Sequence, residues 1–314
     1  MKYINILREG ERITQVFLCK YKESALTKNG KPYENVILQD RTGVLDGKIW
    51  EPDSQGIADF GAFDYIFVMG DVTRFQGALQ LNIKRVRKAQ EGEYDPKDYI
   101  PVSDRDIDTM YQELKQYMGK VENPYLQQLL EGFFLDAEFE KQFKHHSAAK
   151  TVHHGFMGGL LEHTLGVTGL CEAFCRQYPV LNRDLLLTAA MFHDIGKLKE
   201  LSTFPLNDYT DEGQLLGHIV IGTEWVGEHI REIPGFPQKL STELKHCILA
   251  HHGEYEFGSP KKPALIEAVA LNFADNMDAK METLKEVFSN VPEGNTEWLG
   301  YNRLFESNIR KTSR

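Results

Sequence analysis

The most constraining stretch of the chain is Met191-Phe192-His193-Asp194-Ile195-Gly196-Lys197. Before it runs Asp184-Leu185-Leu186-Leu187-Thr188-Ala189-Ala190, whose composition is that of a buried helix with an acid near its N-terminus. Gly196 is expected to stop that helix. An imidazole, a carboxylate and an ammonium therefore sit where an apolar helix ends. Buried ionisable groups are costly unless they are paired or bind a metal. Any fold of this chain must bring partners to that point, and the candidates are His163, His218, His251 and Asp275.

Each candidate lies on or beside an apolar stretch that reads as helix. One begins at Gly158-Gly159-Leu160-Leu161-Glu162-His163 and continues through Phe174. Others run from Leu215 to about Arg231, from Thr242 to His252, and from Ala264 to about Val287. A single His on an apolar face is more often a satisfied core residue than a ligand. The conjunction carries the argument: His163, His193-Asp194, His218, His251-His252 and Asp275, in that order. Imidazoles mixed with carboxylates suit Mn²⁺, Fe²⁺, Co²⁺ or Zn²⁺ better than Ca²⁺. With one carboxylate able to bridge, such a set would hold two ions, the usual device for phosphodiester displacement.

The first ninety residues read as β. Segments 12–19, 33–40, 43–50, 65–72 and 78–86 alternate or are β-rich, with turns at Lys28-Asn29-Gly30-Lys31-Pro32, Asp40-Arg41-Thr42-Gly43 and Phe75-Gln76-Gly77. A short helical insert is expected over Ser54 to Phe63. Five strands with a helix between the third and fourth is the order of an oligonucleotide-binding (OB) barrel. Such barrels hold single strands on aromatic platforms and basic grooves. Tyr33, Trp50 and Phe75 are the candidate stacking residues, and Lys84, Arg85, Arg87 and Lys88 the candidate phosphate contacts. The structural alternative is that the aromatics are barrel core and the basic strand a solvated edge.

Charge divides the same way. Residues 1–90 hold 14 Lys/Arg against 11 Asp/Glu, whereas the whole chain has a net charge of −10. A mildly basic half can meet phosphates while an acidic half gathers carboxylates around cations. The polar, proline-containing segment 89–102 reads as a linker, and Ser103-Asp104-Arg105-Asp106 as the cap of a helix. Asn123-Pro124 opens another helix, running to about His145. The aromatic tail with Trp298, Tyr301 and Phe305 is expected to pack back on a neighbour. No apolar run reaches membrane-spanning length and the N-terminus has no signal-peptide core, so no membrane partner is expected. Cys19, Cys171, Cys175 and Cys247 offer no disulfide framework, which fits a cytoplasmic protein.

The order His … His-Asp … His … His … Asp resembles the HD-domain metal-dependent phosphohydrolases. Gly158-Gly159-Leu160-Leu161-Glu162-His163-Thr164, Phe192-His193-Asp194-Ile195-Gly196-Lys197, Leu249-Ala250-His251-His252-Gly253 and the tail Trp298-Leu299-Gly300-Tyr301-Asn302 are similar to one branch, the YhaM family of 3′→5′ exoribonucleases. The resemblance covers nearly the whole chain. It implies a multidomain α and β protein: an OB-like five-stranded barrel over 1–90, a linker and connecting helix over 91–122, and an all-α HD bundle with a C-terminal tail over 123–314.

The resemblance also implies a site. One divalent ion, Mn²⁺ or Co²⁺ ahead of Fe²⁺, Zn²⁺ or Mg²⁺, would be held by His163, His193, Asp194 and Asp275. The other would be held by His218 and His251, with Asp194 bridging. Lys197 would face the substrate phosphate. Neighbouring helix positions differ by about 100°, so His251 and His252 are not expected to point at one ion easily; His252 could meet phosphate or the attacking water. His153-His154 could line the same mouth. The implied activity is hydrolysis of single-stranded RNA from its 3′ end to mononucleotides; whether single-stranded DNA is also a substrate stays open. The number of subunits stays open, a homo-oligomer included.

Three other activities fit the chain less well. A cyclic-dinucleotide phosphodiesterase would carry Gly-Tyr-Pro after the paired histidines, where this chain reads Gly253-Glu254-Tyr255-Glu256-Phe257-Gly258-Ser259-Pro260. A nucleotidase would leave the barrel without a task. A non-catalytic single-strand-binding protein would normally have lost ligands.

Overall fold

The computed structural model describes residues 1–150, 154–289, 291 and 297–312. The chain divides into two compact units: Met1–Asp104 with Thr203–Asn207, and Arg105–Ser202 with Asp208–Arg314.

The first unit is a closed barrel of β1 (Arg12–Leu26), β2 (Pro32–Asp40), β3 (Gly43–Ile49), β4 (Tyr65–Phe75) and β5 (Ala78–Lys88), in the order β1-β2-β3-β5-β4. The β3–β5 pairing is parallel and the others antiparallel. Alternation sets the inside: Glu34, Val36, Leu38 and Asp40 of β2 are buried, as are Ile66, Val68, Gly70 and Val72 of β4. Phe17, Leu38, Ile49, Ile66 and Leu81 are fully buried. Strand β1 runs longer than its sequence pattern predicts. A register shift between Cys19 and Tyr21 bends it, so its first half pairs with β4 and its second with β2.

The helical insert expected over 54–63 is absent, and that segment is a series of turns. Gly56 (φ 100°) and Gly61 within it disfavour a helix. It meets its backbone needs on β5 instead, with Ala58 N–H donating to the Val86 carbonyl at 2.9 Å. Tyr94 stacks on Tyr65 with ring centroids 3.9 Å apart, and Tyr99 meets Tyr65 edge-on, so residues 94–99 stay with the barrel.

The second unit contains α1 (Ile107–Met118), α2 (Pro124–Phe134), α3 (Ala137–His145), α4 (Gly159–Gln177), α5 (Arg183–Phe192), α6 (Lys197–Glu200), α7 (Asp211–Glu232), α8 (Gln238–Ala250) and α9 (Ile266–Ser289). Asp106, Asn123, Asp136, Asn182 and Thr210 each accept a backbone N–H at a helix start. The cap at Asp136 splits the expected helix 123–145 into α2 and α3. Every residue of α5 from Leu185 to Phe192 is buried. It packs among α2, α4, α8 and α9, so the groups at its C-terminal end are delivered to the middle of the unit. The tail forms a hairpin of β6 (Trp298–Asn302) and β7 (Ser307–Arg310). None of its residues is buried and Trp298 is 67% exposed. The expected packing of the tail on a neighbour is not what this hairpin does.

Candidate metal centre and nucleic-acid face

His193 is the C-cap of α5 and Asp194 follows it, 0% and 2% exposed. Gly196 does not terminate the helix through a left-handed turn, since its φ is −62°. A Cβ there would lie 2.0 Å from the His218 carbonyl oxygen and 2.7 Å from the Gly222 nitrogen. The glycine is needed because α6 and α7 touch at that point. Helix α7 is interrupted at Gly217 (φ 74°, ψ 156°), a conformation that favours glycine. The break leaves the His218 N–H free to donate to Glu200 Oε1 at 3.0 Å, and His218 Nδ1 meets the same oxygen at 2.9 Å.

The other imidazoles follow the same rule. His163 Nδ1 lies 2.7 Å from Asp278 Oδ2, His193 Nδ1 2.7 Å from the Ala190 carbonyl, His251 Nδ1 2.7 Å from the Ile248 carbonyl, and His252 Nδ1 2.8 Å from the Phe257 carbonyl. Each of these Nδ1 atoms faces an acceptor and so carries the proton, and Nε2 of His163, His193, His218 and His251 is turned towards Asp194. That is the arrangement of metal-ligating histidines.

The centre is Asp194. Its Oδ2 lies 3.4 Å from His163 Nε2 and 3.5 Å from His193 Nε2. Its Oδ1 lies 3.4 Å from His218 Nε2 and 3.7 Å from His251 Nε2. Asp275 Oδ1, from α9, lies 3.1 Å from His163 Nε2 and 3.9 Å from His193 Nε2. Asp194 Oδ1, His218 Nε2 and His251 Nε2 are buried without a hydrogen-bond partner among the described residues. Three acceptors aimed at one place repel one another unless a cation lies between them. The residues present therefore fit a divalent metal.

Electrostatics favour ligand forms. Burial keeps His193 below the usual imidazole range. Burial and the neighbouring imidazoles lower His251 and His252 too, leaving these nitrogens as lone-pair donors. Burial opposes the charge on Asp194, yet Lys197 and the surrounding imidazoles hold it well below the carboxylate range. His163 is the exception: against its burial, hydrogen bonds to Asp275 and Asp278 raise it to about 10.

His163, His193, Asp194, His218, His251 and Asp275 are thus brought together. His251 keeps helical dihedrals as the C-cap of α8 (φ −65°, ψ −27°), and the His251 and His252 ring centroids are 4.4 Å apart at a steep 75° angle. Ligand atoms of His218, His251 and His252 lie within 4.8 Å of one another. Lys197 lines a cavity of about 120 Å³ with His154, His163, Asp194, His252 and Asp275, but its ammonium is placed on Asp194. His154 reaches Asp278 at 3.1 Å, and His153 lies outside the described residues. Sequence reasoning missed Glu200 and Asp278. The available signal for Asp278 was its i+3 spacing from Asp275, which places both on one face of α9.

On the barrel, Tyr33 and Trp50 stack with centroids 5.2 Å apart, and Trp50 is 48% exposed. Lys48, not singled out by sequence, lies 5.6 Å from the Tyr33 ring and hydrogen-bonds Asn35. Phe75 is 61% exposed at the β4–β5 turn, and Lys84 and Arg85 are exposed on β5. Arg87 is instead tied to Glu93 by two 2.7 Å hydrogen bonds, and Lys88 to Asp64 at 2.8 Å.

Comparison with known proteins agrees with this organisation. The HD-domain family matches residues 160–280, which implies a divalent metal. The chain is 33% identical over 286 residues to the 3′–5′ exoribonuclease YhaM of a Geobacillus species, covering 91% of this chain and 87% of that one. It is 34% identical over 294 residues to YhaM of Bacillus velezensis, and 33% identical over 294 residues to YhaM of Bacillus subtilis, covering 93% of each chain in both cases. This chain, an OB-like barrel followed by a helical HD domain, belongs to the YhaM family of 3′–5′ exoribonucleases.

Proposed function

We propose that the protein hydrolyses single-stranded RNA from its 3′ end to mononucleotides, with two divalent cations held on either side of Asp194. One observation carries this reading: the two oxygens of Asp194 face separate imidazole pairs, His163 with His193 and His218 with His251. Asp275 would complete the first set and His252 borders the second. Divalent cations, Mn²⁺ or Co²⁺ by the donor chemistry, would lower the pKa of a water molecule and neutralise phosphoryl charge.

The chain's own residues do the rest. Asp194 supplies a buried negative charge between the two imidazole pairs, where it would hold cations. Lys197, held charged by Asp194, offers a fixed positive charge to the phosphoryl oxygens as charge develops there. His252 lines the same cavity as Lys197 and would there meet the scissile phosphate or the attacking water. No Ser or Cys nucleophile is required. Residues 1–90 act as the nucleic-acid module, with Tyr33, Trp50 and Phe75 stacking bases and Lys84 and Arg85 meeting phosphates. The chain passes from the barrel unit into the helical hydrolase unit at Asp104–Arg105. The four free cysteines suit a reducing cytoplasm.

The test is to incubate the purified protein with 5′-labelled single-stranded RNA, with chelator and then with added Mn²⁺. The expected result is no cleavage under chelation and a ladder shortening from the 3′ end once metal is restored. Full activity with chelator present, or cuts within a circular RNA, overturns the reading. Parallel single-stranded DNA and duplex lanes decide the substrate range.

A further inference from the structure

Asp278 stands one helical turn from Asp275 on α9, yet it does not face the centre. Its Oδ2 receives His163 Nδ1 at 2.7 Å and His154 Nε2 at 3.1 Å. Its Oδ1 lies against α4 at Gly166: a Cβ built on that glycine would stand 2.1 Å from Oδ1 and 3.0 Å from the carboxyl carbon. Gly166 is three residues beyond His163, so both lie on one face of α4. The carboxylate is thus held at three points: by the imidazole it receives, by a second imidazole, and by a notch in the opposing helix. His154, the second donor, has φ 59°, a backbone conformation uncommon for a residue with a Cβ.

The geometry points to Asp278 as a positioning residue: it fixes the tautomer and orientation of His163 so that Nε2 faces Asp194 and Asp275, and Gly166 exists to admit it. A carboxylate behind a metal-ligating histidine raises its basicity and fixes its ring. Losing such a partner typically costs 10–100-fold in metal affinity. His163, like His218 on Glu200, leans on a carboxylate from another helix. His193 and His251 are anchored by carbonyls three residues back on their own chain, whereas His163 depends on a group delivered from another helix. The inference rests on reading His163 as a metal ligand.

The experiment uses the full-length protein stripped of metal and titrated with Mn²⁺ by calorimetry. It compares wild type with Asp278→Ala, Asp278→Asn, Gly166→Ala and His163→Ala, and takes the melting temperature of each stripped protein as a check of folding. Gly166→Ala is the cleanest variant, because alanine favours a helix over glycine and no charge changes. Asp278→Ala and Gly166→Ala are expected to weaken Mn²⁺ binding 10–100-fold, with Asp278→Asn between them and wild type. Saturating Mn²⁺ should return kcat towards the wild-type value in these three but not in His163→Ala, with KM for RNA unchanged. Wild-type Mn²⁺ affinity in folded Gly166→Ala and Asp278→Asn overturns the role of Asp278 while leaving the proposed function intact. Wild-type Mn²⁺ affinity in His163→Ala overturns both. Should Asp278→Ala fail to fold, the other two variants decide.

Discussion

The Lys197 ammonium lies 2.7 Å from Asp194 Oδ2, the oxygen that also faces His163 and His193. Both partners are nearly buried, with side-chain exposures of 17% and 2%. Lys197 is therefore a counter-charge to the central carboxylate of the candidate metal centre, and it also lines the cavity beside it.

The two roles predict opposite changes. In Lys197→Ala, the positive charge offered to the phosphoryl oxygens is gone, and kcat should fall by roughly a hundredfold. A competitor for Asp194 Oδ2 is also gone, so Mn²⁺ should bind at least as tightly as in wild type. Single-turnover cleavage beside Mn²⁺ titration separates the effects. A variant that lost both metal and turnover would make Lys197 a support of the centre rather than a partner of the phosphate.

The barrel surface predicts an ordered set of binding defects. Base–aromatic stacking is worth about 1–3 kcal/mol per base. Trp50→Ala should therefore raise KM for RNA roughly tenfold or more while sparing cleavage of a small aryl phosphodiester, and Phe75→Ala should do likewise if it stacks. Lys84→Ala and Arg85→Ala should weaken binding and flatten its salt dependence. Arg87→Ala should do so less, because Glu93 already neutralises that guanidinium. An unchanged KM in folded Trp50→Ala would return the Tyr33–Trp50 pair to a purely structural role.

His146 gives the helical unit a dependence on pH. It is 3% exposed, and its Nε2 has no hydrogen-bond partner among the described residues. Burial, and then Lys197, lower its imidazole from 6.5 to about 4. Below pH 6.5 the unfolded chain takes up a proton that the folded chain refuses. The stability present above 6.5 is thus lost as pH falls towards 4, by about 3 kcal/mol in all. Denaturation of wild type and His146→Phe at pH 7, 5.5 and 4.5 checks this. The variant should lose less stability on acidification, and parallel losses would assign the acid sensitivity to other groups.

What was legible in the sequence was what local pattern decides. Period-two alternation and turn residues marked the five strands, and apolar stretches marked the helices that carry the histidines. The metal-centre residues were readable because imidazoles are uncommon on apolar helix faces. Asp278 was not, since an acid on a helix looks like a solvated charge until α4 packs against α9. Glu200 was hidden for a similar reason, on a four-residue helix whose partner is created by the break at Gly217. Residues 54–63 read as a helix because nothing local revealed that β5 would offer them backbone partners.

Asp194 provides the sharpest separation of chemistry from binding. Each of its oxygens lies within 3.7 Å of two imidazole nitrogens, and the two pairs come from different helices. Asp194→Asn keeps the shape but removes the negative charge between them, and its amide N–H₂ would face one imidazole pair with donors instead of acceptors. One of the two proposed cations should be lost or displaced. Because activation of water by the metal is the main source of rate in such a site, kcat should fall by roughly a thousandfold or more, on the order of 4 kcal/mol in barrier height. Affinity for RNA should change little if the barrel, as proposed, supplies most of it. The measurement is metal stoichiometry beside the single-turnover rate, with RNA affinity as the control. If Asp194→Asn kept two ions and near-normal turnover, Asp194 would not be the bridge, and the reacting phosphate would have to sit elsewhere in the helical unit.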